Sequence, residues 1–296
     1  MALFDAPLLF DGGLGTHLEA LGYDISGPLW SARVLRENPA LIESAHADFF
    51  AAGAQIATTA SYQITFDVLG GEAESLLRRS VTVARDAARK AGDRHAAHGD
   101  QLVAASVGPY GAGPGRGNEY DGAYGLSAHE LRRWHTRRVE VLADTEADFL
   151  LAETIPNVDE AAVLLELLSA QPKPFALSIT GAIAADPTKL SQVITLANQT
   201  PRLGAVGVNC VRPPQVWAVV KALRAGTDKP LLACPNSGEI WDDGVRDWRP
   251  APAGAVGLIE AAAHMRAAGV SLLGGCCRVG PAGIQQLRRS IRFEGK

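Results

Sequence analysis

The chain has 296 residues, of which 47% are hydrophobic and 20% charged, and its formal net charge is −4. A chain of this length can bury one large core. The charge balance argues against a nucleic-acid-binding protein, which needs a basic face, and no apolar run reaches the roughly 20 residues that span a bilayer. No signal peptide is predicted. Four cysteines are too few for a disulfide scaffold, so we expect a cytoplasmic protein with buried, metal-bound or catalytic thiols.

Short apolar segments alternate along the chain with segments of amphipathic pattern. The apolar segments are continuous, which is typical of strands that are buried on both faces. We predict strands at 8–13, 54–62, 101–111, 148–155, 174–180, 204–210, 230–238 and 270–277.

Helices are predicted between these strands. Ser127 with Glu130, and Asn157 with Glu160, have the spacing of capping boxes that open a helix. Eight strand-then-helix units favour an α/β fold of the (β/α)8 TIM-barrel type, as a single domain over 1–296. A doubly wound open sheet is the alternative. The other predicted helices are 38–52, 72–91, 186–198, 213–225, 256–268 and 281–291.

Polar and special residues gather where the predicted strands end. In a barrel these ends share the C-terminal face, where active sites lie. The longest loops, 111–126 and 235–252, also belong to this face, and the glycine-rich 111–126 is interpreted either as a lid or as a surface loop. The residues at the strand ends are Asp11, Thr59, Ser61, Pro109, Tyr110, Glu153, Thr154, Asn209, Cys210, Pro235, Asn236, Ser237, Cys276 and Cys277.

Three cysteines lie at predicted strand ends. Cys210 ends the sixth strand, and Cys276 and Cys277 end the eighth. Adjacent residues of a regular strand point to opposite faces, but the preceding Gly274-Gly275 permits a bend. Three thiolates from two strand ends would offer zinc three ligands and leave its fourth tetrahedral position open, as in catalytic sites. Burial of small core residues is the alternative interpretation.

Several longer motifs occur, namely DGGLGTHLE (11–19), TTASYQ (58–63), SVGPYG (106–111), AETIPNVDEA (152–161), GVNC (207–210), PNSGE (235–239) and GGCCR (274–278). On these motifs the chain resembles, over nearly its whole length, the homocysteine S-methyltransferase family. The resemblance implies a (β/α)8 barrel that binds one Zn2+ per chain through Cys210, Cys276 and Cys277. Cys234 matches no ligand of the family and is expected to pack in the core.

The resemblance implies transfer of a methyl group from a sulfonium donor, S-methylmethionine or S-adenosylmethionine, to zinc-bound homocysteine thiolate, which gives methionine. A thiolate, unlike a thiol, is a good nucleophile, and a coordinating metal deprotonates the thiol. An all-sulfur ligand set favours alkyl transfer over water activation, because hydrolytic zinc sites usually contain histidine and carboxylate ligands.

Homocysteine also carries an ammonium and a carboxylate. Asp11 and Glu153 are predicted to bind the ammonium, and the resemblance assigns both positions to the amino-acid substrate; capping or loop-fixing is the alternative. Backbone N–H groups near Gly12-Gly13, or from Thr59 to Ser61, are candidates for the carboxylate. Asn209 would hydrogen-bond the substrate or a cysteine sulfur, or else fix the end of its strand.

The sulfonium donor should favour aromatic faces. The candidates, each of which would otherwise be a packing residue, are Trp30, Tyr62, Tyr110, Tyr120 and Tyr124.

One segment departs from the family pattern. After the fifth predicted strand, 178–190 reads SITGAIAADPTKL and lacks the Asp-Gly that the family commonly shows there. The wall of the site beyond this strand is therefore expected to differ. Two other functions stay open: a zinc- and thiol-binding homologue without turnover, and a methyltransferase for another small thiol or selenol. We expect a monomer or a small homo-oligomer.

Overall fold

The computed structural model describes residues 3–25, 29–94, 101–113, 118–242, 247–250 and 256–290. Its strands are β1 (Leu8–Leu9), β2 (Ile56–Thr58), β3 (Leu102–Val107), β4 (Phe149–Ile155), β5 (Phe175–Ile179), β6 (Leu203–Asn209), β7 (Leu231–Cys234), β8 (Ile240–Asp242), β9 (Asp247–Arg249) and β10 (Val270–Leu273). Eight of them form a parallel sheet in the order β1-β10-β7-β6-β5-β4-β3-β2. A parallel bridge between Phe10 and Ile56 joins its two edges. The predicted barrel is confirmed, and the open-sheet alternative is wrong.

Helices cover the outside of this barrel. They are α1 (Leu14–Ala20), α2 (Trp30–Glu37), α3 (Pro39–Ala51), α4 (Phe66–Leu69), α5 (Glu72–Arg94), α6 (Ala128–Ala143), α7 (Val158–Ser169), α8 (Gly181–Ala184), α9 (Pro187–Gln199), α10 (Pro213–Gly226), α11 (Leu258–Ala267) and α12 (Pro281–Ser290). No helix among the described residues is long and apolar enough to cross a membrane.

Local sequence explains where the predicted helices begin. Ser127 and Glu130 form the expected capping box at α6, with each side chain accepting a hydrogen bond from the other residue's backbone N–H. The Asn157 side chain accepts from the Glu160 backbone at α7. Asp186 caps α9 in the same way. These caps satisfy N–H groups that the first turn of a helix leaves free.

The structure also contains elements that the sequence pattern did not predict. They are short: α1 and α2 have seven and eight residues, and α4 and α8 have four each. The predicted loop 235–252 contains the antiparallel pair of β8 and β9. In the loop 111–126, interpreted as either a lid or a surface loop, residues 114–117 lie outside the described residues. Both interpretations stay open.

The core has two layers. The larger layer packs the outer faces of the strands against the helices. The smaller fills the inside of the barrel, where Phe149 stacks edge-on against both Phe4 and Phe10, with ring centroids 5.1 and 6.2 Å apart. Phe149 begins β4, so this aromatic column fills the N-terminal half of the barrel axis. The space above it, at the C-terminal face, is left for a cavity.

Candidate metal centre and active site

A cavity of about 160 Å³ lies at the C-terminal ends of the barrel strands, where the sequence predicted the site. Its floor includes Phe10 and Leu232 from the inner core. The polar, sulfur-bearing and aromatic side chains that line it are Asp11, Trp30, Ser31, Thr58, Thr59, Tyr62, Tyr120, Glu153, Thr154, Ser178, Asn209, Cys210, Cys234, Cys276 and Cys277.

Three sulfur atoms converge on this cavity. The Sγ atoms of Cys210, Cys276 and Cys277 all lie within 4.8 Å of one another, and those of Cys210 and Cys277 are 3.4 Å apart. Cys210 directly follows β6 with a left-handed φ of +57°, which turns the backbone out of the strand. At Gly275 a Cβ atom would lie 2.3 Å from the side chain of Val279. A glycine there lets the chain bend so that both adjacent cysteines reach the cluster.

The end of β7 and the loop after it hold the three cysteines in place. The Cys276 N–H donates to the carbonyl of Pro235 at 2.8 Å, and the Cys277 N–H donates to Asn236 Oδ1 at 3.1 Å. The Cys210 N–H donates to the carbonyl of Cys234 at 3.1 Å. The PNSG segment is therefore a support for the cluster. Its spacing in the sequence gave no sign of this role.

The cluster fits a tetrahedral metal ion. Zn–S bonds of about 2.3 Å at tetrahedral angles place sulfur atoms about 3.8 Å apart, close to the observed separation. Hydrogen bonds from the thiols of Cys276 and Cys277 lower the pKa of Cys210, and the same contacts with Cys210 raise the pKa of the other two. Cys210 is thus the most acidic of the three thiols, and a divalent cation would favour ionisation of the other two. Cys234 packs at the cavity wall within the inner core, outside the cluster.

Two carboxylates face the same cavity. Asp11, just after β1, accepts hydrogen bonds from the Thr58 N–H at 2.7 Å and the Thr58 hydroxyl at 2.9 Å. Burial raises the pKa of Asp11 to about 8, and repulsion from Glu153 contributes. Glu153, in β4, accepts from the Ser106 hydroxyl, and burial raises its pKa to about 7. Two carboxylates with raised pKa values in one cavity form a site that a cation would stabilise.

The other predicted polar residues form hydrogen bonds with one another and with the backbone in the cavity wall. The Thr59 and Ser61 hydroxyls are 2.7 Å apart, and both bond the backbone of Ser106. Thr59 lines the cavity, whereas Ser61 lies behind it. Asn209 accepts from the Thr154 N–H at 2.9 Å and from the Ser178 hydroxyl at 2.7 Å. Its Nδ2 also lies 3.9 Å from Cys276 Sγ. Asn209 thus fixes three strand ends beside the cluster.

The aromatic candidates divide into two groups. Trp30, Tyr62 and Tyr120 line the cavity, and the Tyr120 hydroxyl lies 3.5 Å from Cys210 Sγ. Tyr110 lies elsewhere: its ring packs against Tyr124 and Trp134, with centroids 5.2 and 5.1 Å apart, and it lines a separate surface pocket. The structure therefore does not bring Tyr110 to the cavity.

Sequence reasoning missed several supporting residues. Ser106 and Thr58, which donate to the two carboxylates, are polar residues inside apolar strands, and that contrast was an available signal. Arg138, in α6, is 1% exposed and donates to the carbonyls of Gly108, Ser61 and Tyr62. It falls on the apolar face of its helix, a position where a charged residue needs partners.

Comparison with known proteins agrees with this geometry. The homocysteine S-methyltransferase family model matches residues 8–291. The chain is 40% identical to a homocysteine S-methyltransferase of Escherichia coli, over 95% of this chain and 94% of the relative. It is 38% identical to a selenocysteine Se-methyltransferase of Brassica oleracea, over 96% and 88% of the two chains.

Solved structures give the same relationship. The crystal structure of the E. coli homocysteine methyltransferase MmuM in its metallated form superposes with a TM-score of 0.85 at 37% identity, covering 97% of each chain. Its apo form gives a TM-score of 0.78. The match in sequence and fold spans almost the whole barrel. The chain therefore belongs to the homocysteine S-methyltransferase family and is a methyltransferase.

Proposed function

We propose that the protein transfers a methyl group from a sulfonium donor, S-methylmethionine or S-adenosylmethionine, to the thiol of homocysteine, giving methionine. The observation that carries this proposal is the cluster of Cys210, Cys276 and Cys277 sulfurs on the wall of a cavity that also holds two carboxylates. Family membership supports the acceptor, since its members include homocysteine methyltransferases. We place the reaction in the cytoplasm, where reducing conditions keep such thiols free.

Cys210, Cys276 and Cys277 would hold one zinc ion. When bound there, zinc would lower the pKa of an acceptor thiol and so favour its thiolate form. The three cysteines carry a formal charge of −3 when ionised, which exceeds the charge of the ion and keeps the acceptor sulfur electron-rich.

Asp11 and Glu153 would bind the ammonium group of homocysteine. Both line the cavity, and burial raises the pKa of each. A substrate ammonium would therefore lower both pKa values by supplying the opposite charge. Thr58 and Ser106 hold the two carboxylates in position through their hydroxyls. This arrangement fixes the amino-acid end of the substrate while its sulfur reaches the cysteine cluster.

Trp30, Tyr62 and Tyr120 would form the aromatic wall for the donor. Their ring faces attract a sulfonium cation without hydrogen-bonding it. When the acceptor sulfur attacks, a new S–CH3 bond forms as the donor S–CH3 bond breaks. The donor sulfur keeps the bonding electron pair and leaves as a neutral thioether. No general acid is required, so the wall needs only to align the methyl group with the acceptor.

A second acceptor class has a specific observation in its favour. The chain is similar over nearly its whole length to a selenocysteine Se-methyltransferase of B. oleracea. A selenol and a thiol of similar size would occupy the same position at the cluster. Competition between homocysteine and selenocysteine for one site, measured by product formation, separates these acceptors.

Metal content and turnover test the proposal together. We expect about one zinc per chain after purification under reducing conditions, and methionine formation with S-methylmethionine or S-adenosylmethionine but not with betaine. Cys276→Ser should lose both zinc and turnover. Cys234→Ala is the matched control, a buried cysteine at the cavity wall that should keep its zinc.

Three outcomes would contradict parts of this proposal. Retained turnover in Cys276→Ser would exclude the mechanism. Zinc binding with homocysteine-dependent thermal stabilisation, but without product on any donor, would identify a thiol-binding homologue. Absence of zinc from fully reduced protein would remove the basis for thiol activation.

A further inference from the structure

Tyr120 belongs to the loop between β3 and α6, yet it reaches the cysteine cluster. Its side chain lines the cavity, and its hydroxyl lies 3.5 Å from Cys210 Sγ. The residue is nevertheless 41% exposed. The backbone contacts of its loop contribute to its placement.

The segment after β5 provides one such contact. The Ala182 N–H donates to the Tyr120 carbonyl at 2.9 Å. Gly181 lies against the same carbonyl with φ of +43°, and a Cβ atom there would be 1.9 Å from the Tyr120 oxygen and 2.7 Å from its carbonyl carbon. These are backbone atoms, so a side chain at 181 cannot be accommodated by a rotamer change. It would push the Tyr120 backbone away.

A second contact restrains the loop two residues later. Asn157 Nδ2 donates to the Gly122 carbonyl at 2.9 Å. The Tyr120 backbone is therefore held between the helix cap at α7 and the segment that begins with Gly181. This segment is the part of the sequence that lacks the Asp-Gly common in the family, and the structure shows it to be a docking surface for the Tyr120 backbone.

We propose that Gly181 is a positioning residue for methyl transfer: its missing side chain lets Tyr120 dock over Cys210, where the phenol covers the metal cluster and completes the aromatic wall for the donor. The donor part of this inference rests on the proposed function. The covering of the cluster does not, because it concerns only access to the three sulfurs.

Two measurements on the full-length, zinc-loaded protein test the proposal. The first is the rate of zinc transfer to a chromophoric chelator, which needs no substrate. The second is the KM of the sulfonium donor compared with the KM of homocysteine. Gly181→Ala should speed zinc transfer about tenfold and raise the donor KM about tenfold, while the homocysteine KM changes by less than about threefold.

Gly125→Ala is the matched control. Gly125 lies in the same loop with φ of +65°, and a Cβ atom there would meet nothing within 4 Å. Both substitutions thus impose left-handed backbone strain, but only the one at 181 displaces Tyr120. Gly125→Ala should leave both measurements at their original values. Equal behaviour of the two variants would overturn the proposal.

A double-mutant cycle shows whether Gly181 acts through Tyr120. Tyr120→Ala should reproduce the fast zinc transfer, and adding Gly181→Ala to it should change the rate no further. Independent, multiplying effects would overturn the proposal. If Gly181→Ala does not fold, Tyr120→Ala alone decides, because an unchanged transfer rate in that variant removes the covering role. Lack of turnover on every donor in the unsubstituted protein would contradict the proposed function while leaving the zinc-transfer result interpretable.

Discussion

Backbone strain is concentrated at the residues around the cluster. Thr154, Cys210 and Arg278 have φ values of +59°, +57° and +65°, a region that costs non-glycine residues on the order of 1 kcal/mol or more each. Hydrogen bonds oppose this strain: the N–H groups of these residues donate to Asn209 Oδ1, the Cys234 carbonyl and Thr16 Oγ1. The left-handed backbone conformation turns the chain sharply at the strand ends. This turn directs Cys210 away from β6 and toward the other two sulfurs.

Glu153 should lower the stability of the free protein at neutral pH. Burial raises the pKa of Glu153 from 4.5 to about 7. The protonated side chain therefore contributes fully to the stability of the folded protein below pH 4.5, and this contribution is lost as the pH rises through about 7. Glu153→Gln should therefore raise Tm at pH 8 by about 5 °C, with little change near pH 4.5. The same variant should raise the homocysteine KM at least tenfold, an effect on the order of 1.4 kcal/mol. Thermal scans at the two pH values and steady-state kinetics measure both effects.

Glu239 provides a control of opposite sign. Its carboxylate accepts two hydrogen bonds from Arg278, at 2.9 and 3.1 Å, and these lower its pKa below 4.5. Glu239→Gln should therefore reduce stability at neutral pH and lose that effect in acid. Stabilisation of both variants at pH 8 would show that the gain in Glu153→Gln does not come from its raised pKa.

At the scale of single elements, α6 connects two strand-end loops to the cavity. Its Arg138 donates to the carbonyls of Ser61, Tyr62 and Gly108 at 3.1, 2.6 and 2.9 Å. A Cβ atom on Gly108 would lie 2.6 Å from the Tyr62 ring, so that ring rests directly on the β3 loop. The helix thereby positions the Tyr62 backbone through hydrogen bonds from Arg138.

Arg138→Met should be costly for this reason. It removes the Arg138 donor from three buried carbonyls, of which that of Ser61 keeps a hydrogen bond from the Ile64 N–H. The change should reduce the free energy of unfolding by about 3 kcal/mol and raise the donor KM as Tyr62 shifts. Chemical denaturation and donor kinetics measure these effects. Arg137→Met is the control: the side chain is 60% exposed, and loss of its surface ion pair and its contact with Phe66 should cost about 1 kcal/mol or less. Equal losses in both variants would contradict the role of Arg138.

The elements that could be predicted from sequence are those with strong local signals. Strands buried on both faces leave continuous apolar runs, and capped helices such as α6 and α7 begin at recognisable residues. The predicted strand 230–238 extended past β7, which ends at Cys234, because the loop after it is also largely uncharged. Short helices such as α8 bury too little surface to leave a periodic pattern. Tyr110 was misplaced because adjacency to a strand end does not determine which way a ring points.

The side-chain positions at the site were likewise predictable only in part. The three cysteines were predictable because strand ends meet on one face of a barrel and the GVNC and GGCC motifs are specific. The supporting contacts were not, because they join distant parts of the chain: Asp11 with Thr58, Glu153 with Ser106, and Gly181 with Tyr120. Only the folded chain reveals that the segment after β5 receives the loop after β3.

At the scale of the whole molecule, an aromatic column lies on the barrel axis below the cavity. Phe4, Phe10 and Phe149 form the aromatic column at the N-terminal end, and Gly204 leaves room for the Phe4 ring, which a Cβ atom would approach to 2.3 Å. The cavity and its cysteines lie at the C-terminal end. Within this column Phe10 also lines the cavity, as do Leu151, Leu232 and Cys234 of the inner core.

Phe4→Ala tests this separation. Loss of a buried phenylalanine ring should reduce the free energy of unfolding by about 3 kcal/mol, as measured by denaturant titration. Zinc content and both KM values should stay at their original levels, because the column lies below the cavity. Phe4→Leu, which keeps most of the volume, should cost about 1.5 kcal/mol or less. A fall in zinc content that tracks the loss of stability would show that the two ends are coupled.

The aromatic column also bears on how such a protein diversifies. A scaffold whose stability is stored away from its ligands can accept changes in the loops after β3 and β5 without approaching its unfolding threshold. The relatives of this chain include both a sulfur and a selenium methyltransferase. Differences in acceptor or donor choice within the family should therefore map to the rim around Tyr120 and Gly181, while the column below stays constant.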